Sequence, residues 1–428
     1  MLLTIFPPVN APTLTTLFAA ALVASLLIKF WLATRQMRFV TRCRDAVPAA
    51  FAGTVPLQAH QRAADYTVTK GRYGLLSTAF GAAVLLAWTL LGGLDALNLI
   101  VRDAVQPALG TMAYQLVLLL AFSLIGALLD LPWDLYNTFR IEQRFGFNRT
   151  SWKLYVSDAL KGLLVGALIG LPIAALMLWL MGAVGSLWWL WAWCAWMLFN
   201  LAILVLYPTV IAPLFNKFEP LADEALKLRV QALMTRCGFA AKGLFVMDGS
   251  RRSAHGNAYF TGLGSAKRVV FFDTLLERLN AGEVEAVLAH ELGHFKYKHV
   301  LKRMGALFAL SLVAFALLGW LSQQAGFFAG MGVQPNMRAP NDALALLLFL
   351  MTVPVFGFFF TPLNAMLSRR HEFEADAYAC AKTSGHDLAS ALLKLHEDNA
   401  GTLTPDPWYA RFYYSHPPAS ERLAALKT

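Results

Sequence analysis

Residues 162–216 read GLLVGALIGLPIAALMLWLMGAVGSLWWLWAWCAWMLFNLAILVLYPTVIAPLFN and carry no charged side chain. A bilayer core of about 30 Å needs about 20 apolar residues as helix, because no water is present there to satisfy an open backbone. The run is far too long for one crossing, and Met181-Gly-Ala-Val-Gly-Ser186 supplies a tight turn within it. It therefore divides into two spans, about 162–181 and 186–208. Further apolar runs predict spans near 12–28, 74–94, 112–129 (between Asp103 and Asp130), 304–327 and 343–363. The first has no short, polar-flanked cleavage pattern and is expected to be retained rather than removed as a signal peptide. Pro107, Pro172, Pro354 and Pro362 lie in or beside these runs, where kinks are expected.

The expected fold class is therefore mainly α: a polytopic membrane protein with seven transmembrane helices. Composition agrees. Of 428 residues, 57% are hydrophobic and only 14% charged, against roughly 25% in soluble domains. That excludes a disordered chain, a collagen-like chain and an ordinary cytosolic enzyme. The net charge is +10, but its placement points to a membrane face and not to nucleic acid. Segments 29–72, 130–161, 209–303 and 367–428 hold 34 of the 36 Lys and Arg, leaving Arg102 and Arg338 on the opposite side. The positive-inside rule places the amino terminus outside and the carboxyl terminus in the cytoplasm. The four cysteines, Cys43, Cys194, Cys237 and Cys380, are irregularly spaced and suggest neither a redox motif nor a cysteine zinc site.

The expected domains are a membrane region over 1–208 with five spans, a cytoplasmic catalytic region over 209–303, spans six and seven over 304–366, and a tail over 367–428. In the catalytic region Ala222, Leu226, Val230 and Leu233 share one helical face. Ala258-Tyr-Phe-Thr261 and Val269-Val-Phe-Phe272, around the turn-rich Gly262-Leu-Gly-Ser-Ala-Lys267, predict a small β-hairpin. Asn280-Ala-Gly-Glu283 has the form of a capping box opening a helix.

That helix carries His290-Glu291-Leu292-Gly293-His294, an H-E-x-x-H pattern. Positions i and i+4 are about 40° apart, so both imidazoles face one way as metal ligands. Glu291 lies about 100° and about 60° from them, where a base for water belongs rather than a ligand. His299 falls about 140° round from His294 on a continuous helix and is expected to be incidental. Catalytic zinc needs a third protein ligand and one open position. After the seventh span comes Arg369-Arg-His-Glu-Phe-Glu-Ala-Asp-Ala377. Glu372 is the expected ligand. Asp376 shares its face, to orient a ligand histidine or handle a proton, whereas Glu374, about 200° away, points elsewhere. His371 is not expected to ligate. Two further polar sites are open between a function and an ordinary turn. Asn257, at the hairpin's first strand, is placed to hydrogen-bond peptide backbone or an oxyanion. In Ser415-His-Pro-Pro-Ala-Ser-Glu-Arg422, His416 is a donor candidate, and Arg422 would bridge to substrate or to an acid.

Taken together these segments resemble the type I CAAX prenyl endopeptidases, integral-membrane zinc metalloproteases. The resemblance is carried by Pro132-Trp-Asp-Leu-Tyr, Ile141-Glu-Gln-Arg-Phe-Gly-Phe-Asn148, Tyr207-Pro-Thr-Val-Ile-Ala-Pro-Leu-Phe215 and Gly249-Ser-Arg-Arg-Ser-Ala-His-Gly-Asn-Ala-Tyr-Phe260. It continues through Phe272-Asp-Thr-Leu-Leu276, the H-E-L-G-H helix, the Glu372–Asp376 segment and Ser415-His-Pro-Pro418. It implies seven helices enclosing a large water-filled chamber, with one Zn2+ held by His290, His294 and Glu372 and Glu291 as the catalytic glutamate. It also implies that Asn257, His416 and Arg422 lie near the metal, and that the activity removes the last three residues after a prenylated cysteine. The expected partners are a peptide or protein substrate, prenylated in that case, and the lipid bilayer. The expected location is the endoplasmic reticulum in a eukaryote or the inner membrane in a bacterium. A bacterial member would instead clear misfolded membrane proteins. The rival class is a non-catalytic transporter or receptor with a structural metal. Its ionisable site would sit at mid-membrane rather than on cytoplasmic segments.

Overall fold

The structure, a computed structural model, describes residues 7–239, 243–261 and 268–426. Five long helices come first: α1 (Ala11–Arg42), α2 (Leu57–Trp88), α3 (Gly93–Tyr136), α4 (Trp152–Ala183) and α5 (Trp188–Leu206). The chain then passes through a short α6 (Ala212–Phe215) into a region with α7 (Glu224–Arg236), α8 (Asp273–Arg278) and α9 (Ala281–Lys296). It re-enters the bundle as α10 (His299–Leu321), α11 (Ala325–Gly330) and α12 (Asp342–Gly357). It leaves through α13 (Thr361–Lys382) and closes with α14 (Gly385–Asp398), α15 (Pro407–Tyr413) and α16 (Ala419–Leu426).

Among the described residues, six helical stretches are long and apolar enough to cross a membrane: Ala11–Arg42, Gly93–Glu142, Trp152–Ala183, Gly185–Phe215, His299–Leu321 and Asp342–Lys382. Six of the seven expected spans fall on them. The remaining one, 74–94, lies on the second half of α2. That helix ends at Trp88, and its first half carries Arg62, Lys70 and Arg72. The turn expected at 181–186 is present. Gly185 takes φ +72, which a glycine adopts without strain, and reverses the chain between α4 and α5. Leu163, Leu168, Trp179, Trp191 and Leu198 are exposed, as side chains facing lipid would be. The expected kink near Pro107 occurs at Gly110, where φ +81 breaks α3.

The expected hairpin is half of a larger sheet. β1 (Phe218–Pro220), β2 (Gly243–Met247), β3 (Ala258–Thr261) and β4 (Arg268–Phe272) form a sheet in the order β1-β2-β4-β3. β3 pairs antiparallel with β4, while β2 pairs with β4 in parallel. The turn over 262–267 lies outside the described residues. Flanked on both sides, β4 buries Val269, Val270 and Phe271 in succession, which explains its unalternated apolar run. Ala222 is exposed and precedes α7, and Leu221 is buried in its place beside Leu226, Val230 and Leu233. The sheet, α7, α9, α13 and α14 share this second core, separate from the one inside the bundle. Arg252 fastens the two parts together: it donates to Asp158 on α4 at 2.8 and 3.1 Å and to Asn216 at 2.8 Å.

Candidate metal centre and active site

The capping box sets where α9 begins. The Asn280 side chain accepts from the Glu283 amide at 3.0 Å, and Glu283 accepts from the Asn280 amide at 2.9 Å. Ala286, Leu288, Ala289 and Leu292 then bury the inner face, which turns His290 and His294 toward α13. The two helices pass very close at Gly293. A Cβ there would lie 2.9 Å from the Ala375 Cα and 3.1 Å from its carbonyl oxygen. This approach brings Glu372 to the histidines from a stretch of chain separated from them by two membrane helices.

The ligand atoms of the three residues lie close together, one from each within 4.8 Å of the others. Nε2 of His290 and Nε2 of His294 are 3.2 Å apart; the first lies 3.5 Å from Glu372 Oε2 and the second 3.5 Å from Glu372 Oε1. A four-coordinate ion with bonds of about 2.0–2.1 Å separates its ligands by about 3.3–3.4 Å, close to these spacings. The hydrogen bonds behind it decide the tautomers. His290 Nδ1 donates to Asp376 Oδ1 at 2.8 Å, because an ionised carboxylate only accepts. His299 Nε2 donates to Glu374 at 2.9 Å, so His299 Nδ1 must accept from His294 Nδ1 at 3.0 Å. With both rings neutral, both Nε2 atoms present lone pairs aimed at one point beside a carboxylate, where a metal ion or a single proton fits. Glu372 Oε2 is buried without a hydrogen-bond partner among the described residues. Two facing lone pairs and an orphaned buried oxygen are costly unless a proton or a metal ion joins them. Among the described residues, His290, His294 and Glu372 form a group able to hold a metal ion.

One expectation changes here, and a second gains a consequence. His299 is not incidental: it is buried at 4% exposure and holds His294. The 140° angle assumed one helix through residue 299, but Lys298 takes φ +56, which ends α9 and restarts the chain as α10. Glu374 points away from the metal position, as expected, yet it reaches that position through His299. Nothing in the local sequence signals this, because the break falls on a lysine rather than a glycine.

The remaining site residues gather on the same cavity of about 570 Å³, whose walls include Glu291, Asn257, His416 and Arg422. Arg422 is buried and grips Asp376 with two hydrogen bonds, of 2.8 and 2.5 Å, with Glu372 3.8 Å away. Of the two partners considered for Arg422, the acid is the one it contacts. His416 Nε2 stands 3.5 Å from Glu372, on a largely exposed side chain. Asn257 is exposed just ahead of β3, one of the sheet's two edge strands.

Burial pushes the Glu291 carboxyl above its ordinary range; Glu372 adds to the rise, and His290 and Arg422 oppose it. Burial also pushes His294 down, with the neighbouring His290 adding to the effect, to about 4. For His290 burial acts the same way, but Asp376 and Glu372 outweigh it and raise it to about 9. The pocket thus holds one proton readily and two with difficulty.

A metal-binding triad on two packed helices, a buried glutamate beside it and a membrane bundle above it define a membrane metallopeptidase. Comparison with known proteins agrees along the whole chain. Residues 36–217 match the CAAX prenyl protease N-terminal family, described as five membrane helices, and 220–428 match peptidase family M48. The CAAX prenyl protease 1 homolog of Mus musculus is 33% identical over 97% of this chain and 96% of its own. The Arabidopsis thaliana homolog is 38% identical over 69% of each. The crystal structure of S. mikatae Ste24p superposes with a TM-score of 0.91 at 28% identity, covering 97% of this chain and 99% of that one. The chain belongs to the CAAX prenyl protease 1 family of M48 metallopeptidases. It is a multi-pass membrane metalloendopeptidase acting on peptide or protein substrates.

Proposed function

We propose that the metal is zinc, held by His290, His294 and Glu372, and that the substrate is a prenylated peptide cut three residues from its carboxyl terminus. The observation that carries the metal assignment is the pair of tautomer-locked imidazoles facing the unpartnered Glu372 Oε2. Two nitrogens and one carboxylate oxygen suit zinc, with a fourth position left for chemistry. The ion, when bound, supplies a Lewis acid that polarises the scissile carbonyl and acidifies water.

The chain's own residues do the rest. Glu291 takes the proton of the attacking water and delivers it to the leaving amine; its raised proton affinity suits both duties. Asp376, steadied by Arg422, keeps His290 in the tautomer that presents Nε2. His416 and Asn257 donate to the oxygen of the tetrahedral intermediate, each worth about 2–4 kcal/mol of barrier. Peptide backbone adds to the outer edge of β3. The charge asymmetry of the loops puts this site and the carboxyl terminus in the cytoplasm and the amino terminus outside.

Two linked measurements test this. Glu291→Gln keeps stoichiometric zinc and loses about 10²–10⁴-fold in turnover; full activity in that variant would remove Glu291 as the base. A prenylated peptide outcompetes its unprenylated twin for the wild-type enzyme. Equal cleavage of the two would leave the peptidase standing and point to a general membrane-protein protease.

A further inference from the structure

A second cavity of about 600 Å³ adjoins the one at the metal, and the two share Asn399, Gly401, Thr402, Tyr413 and Tyr414. Its walls come from α1, α2 and α15. Among the described residues they include Lys29 and Lys70 and no carboxylate. The cations near this end of the bundle differ in how they are used. Lys70 donates to Asn137 at 2.7 Å and Glu142 at 3.0 Å. Arg35 pairs with Asp406 at 2.9 Å, and Arg62 donates to the Phe145 carbonyl. Lys29 has no carboxylate partner among the described residues. Its ammonium stands 4.9 Å from the centroid of the Phe358 ring. It sits on α1 about 27 Å along from Ala11, near the inner end of an apolar span. An ammonium placed there without a carboxylate partner is costly, and such residues mark ligand paths. Tyr409 and Tyr413 line the same cavity, and neither hydroxyl has a hydrogen-bond partner among the described residues. A cation held only against an aromatic face, in one cavity with two phenol hydroxyls, is a receptor for an anion.

The reach suits one anion in particular. Three residues in extended form span about 10 Å. A round cavity of 570 Å³ is about 10 Å across, so a peptide cut at the metal three residues from its end brings its terminus to the wall the two cavities share. Tyr413 and Tyr414 belong to that wall, and Lys29 lines the second cavity with them. We propose that Lys29, assisted by Tyr409 and Tyr413, receives the free carboxylate at the substrate's carboxyl terminus. The enzyme would then measure the distance from the terminus to the scissile bond. The inference rests on the peptidase function above and adds to it a residue that selects substrates by their end.

Binding separates this from the peptidase reading. The zinc-loaded, full-length Glu291→Gln protein is reconstituted in nanodiscs of neutral lipid and titrated with a fluorescent prenylated peptide, as the free acid and as the carboxyl-terminal amide. The acid binds about tenfold more tightly than the amide. Lys29→Met lowers the acid to the amide's level and leaves the amide unchanged, and Lys29→Arg restores the difference. Equal affinity of acid and amide for the parent overturns the inference. So does a Lys29→Met variant that weakens both alike, or one that still prefers the acid. Failure of the zinc-loaded wild type to cleave any peptide is a separate result: it sinks the peptidase function and not the preference for an end carboxylate.

Discussion

His299 shows how much of the metal site rests on residues that never touch the metal. Its ring has two jobs: Nε2 donates to Glu374, and Nδ1 accepts from His294. Remove it and His294 Nδ1 loses its acceptor, so the imidazole is free to turn or to change tautomer. Supports of this kind are worth about 10–100-fold in metal affinity. His299→Ala should therefore weaken zinc by about that factor in competition with a chromophoric chelator, beyond any loss of stability measured without metal. Unchanged zinc affinity would make the His294–His299 contact a packing detail. That His290 and His294 face one way was legible in the sequence, because i, i+4 spacing on one helix puts them on one face, whereas the approach of Glu372 depends on the packing of a second helix. The support was not. It depends on a left-handed backbone at Lys298, and nothing in the residue type announces that.

Among elements, the α9–α13 contact decides whether the triad exists. Gly293 is the point of closest approach, and an added methyl would meet the Ala375 backbone rather than a movable side chain. Gly293→Ala should push the helices apart, cost about 1–3 kcal/mol of stability and lower zinc occupancy through Glu372, as read by metal analysis of the purified protein. Full occupancy would show that the helices can slide without losing the ligand. The start of α9 makes a second test. Glu283 is buried and accepts from Ser390 at 2.6 Å and Lys394 at 2.8 Å, joining α9 to α14. Burial alone would raise its pKa, but these bonds and the Asn280 amide together hold it below the ordinary 4.5. Its folded pKa is depressed, so its stabilising effect is present above pH 4.5 and lost as pH falls through the folded value. Glu283→Gln should melt several degrees below wild type at pH 7, with the gap closing as the pH is taken below 4.5. A gap independent of pH would trace the loss to shape instead of charge. The capping box here was visible in four residues, as were the membrane spans, because both are written in local pattern. β1 and β2 were not: they are short, and β2 gains its place by pairing in parallel with β4, a strand that follows it in the chain only after β3.

On the scale of the whole molecule, the metal position closes a very long loop. His290 and His294 precede the hairpin of α10 and α12, and Glu372 follows it, so an ion there ties the catalytic core to the membrane bundle from both sides. Asp376 and Arg422 extend the tie to α16, near the end of the chain. Binding that requires the folded arrangement stabilises it by mass action, about 2.7 kcal/mol at a free-ion concentration one hundred times the dissociation constant. Chelation should therefore lower the melting temperature of the full chain in detergent, and zinc should restore it. In Glu372→Ala the same two treatments should give the same melting temperature, because the carboxylate linking α13 to α9 is gone. Glu291→Gln, whose altered side chain stands beside the triad and outside it, should keep the full shift. This pairing separates a metal that holds the fold together from one that only serves the reaction. A wild-type protein whose melting ignores chelation would mean that α9 and α13 stay in place by packing alone, with the ion a passenger in a site already built.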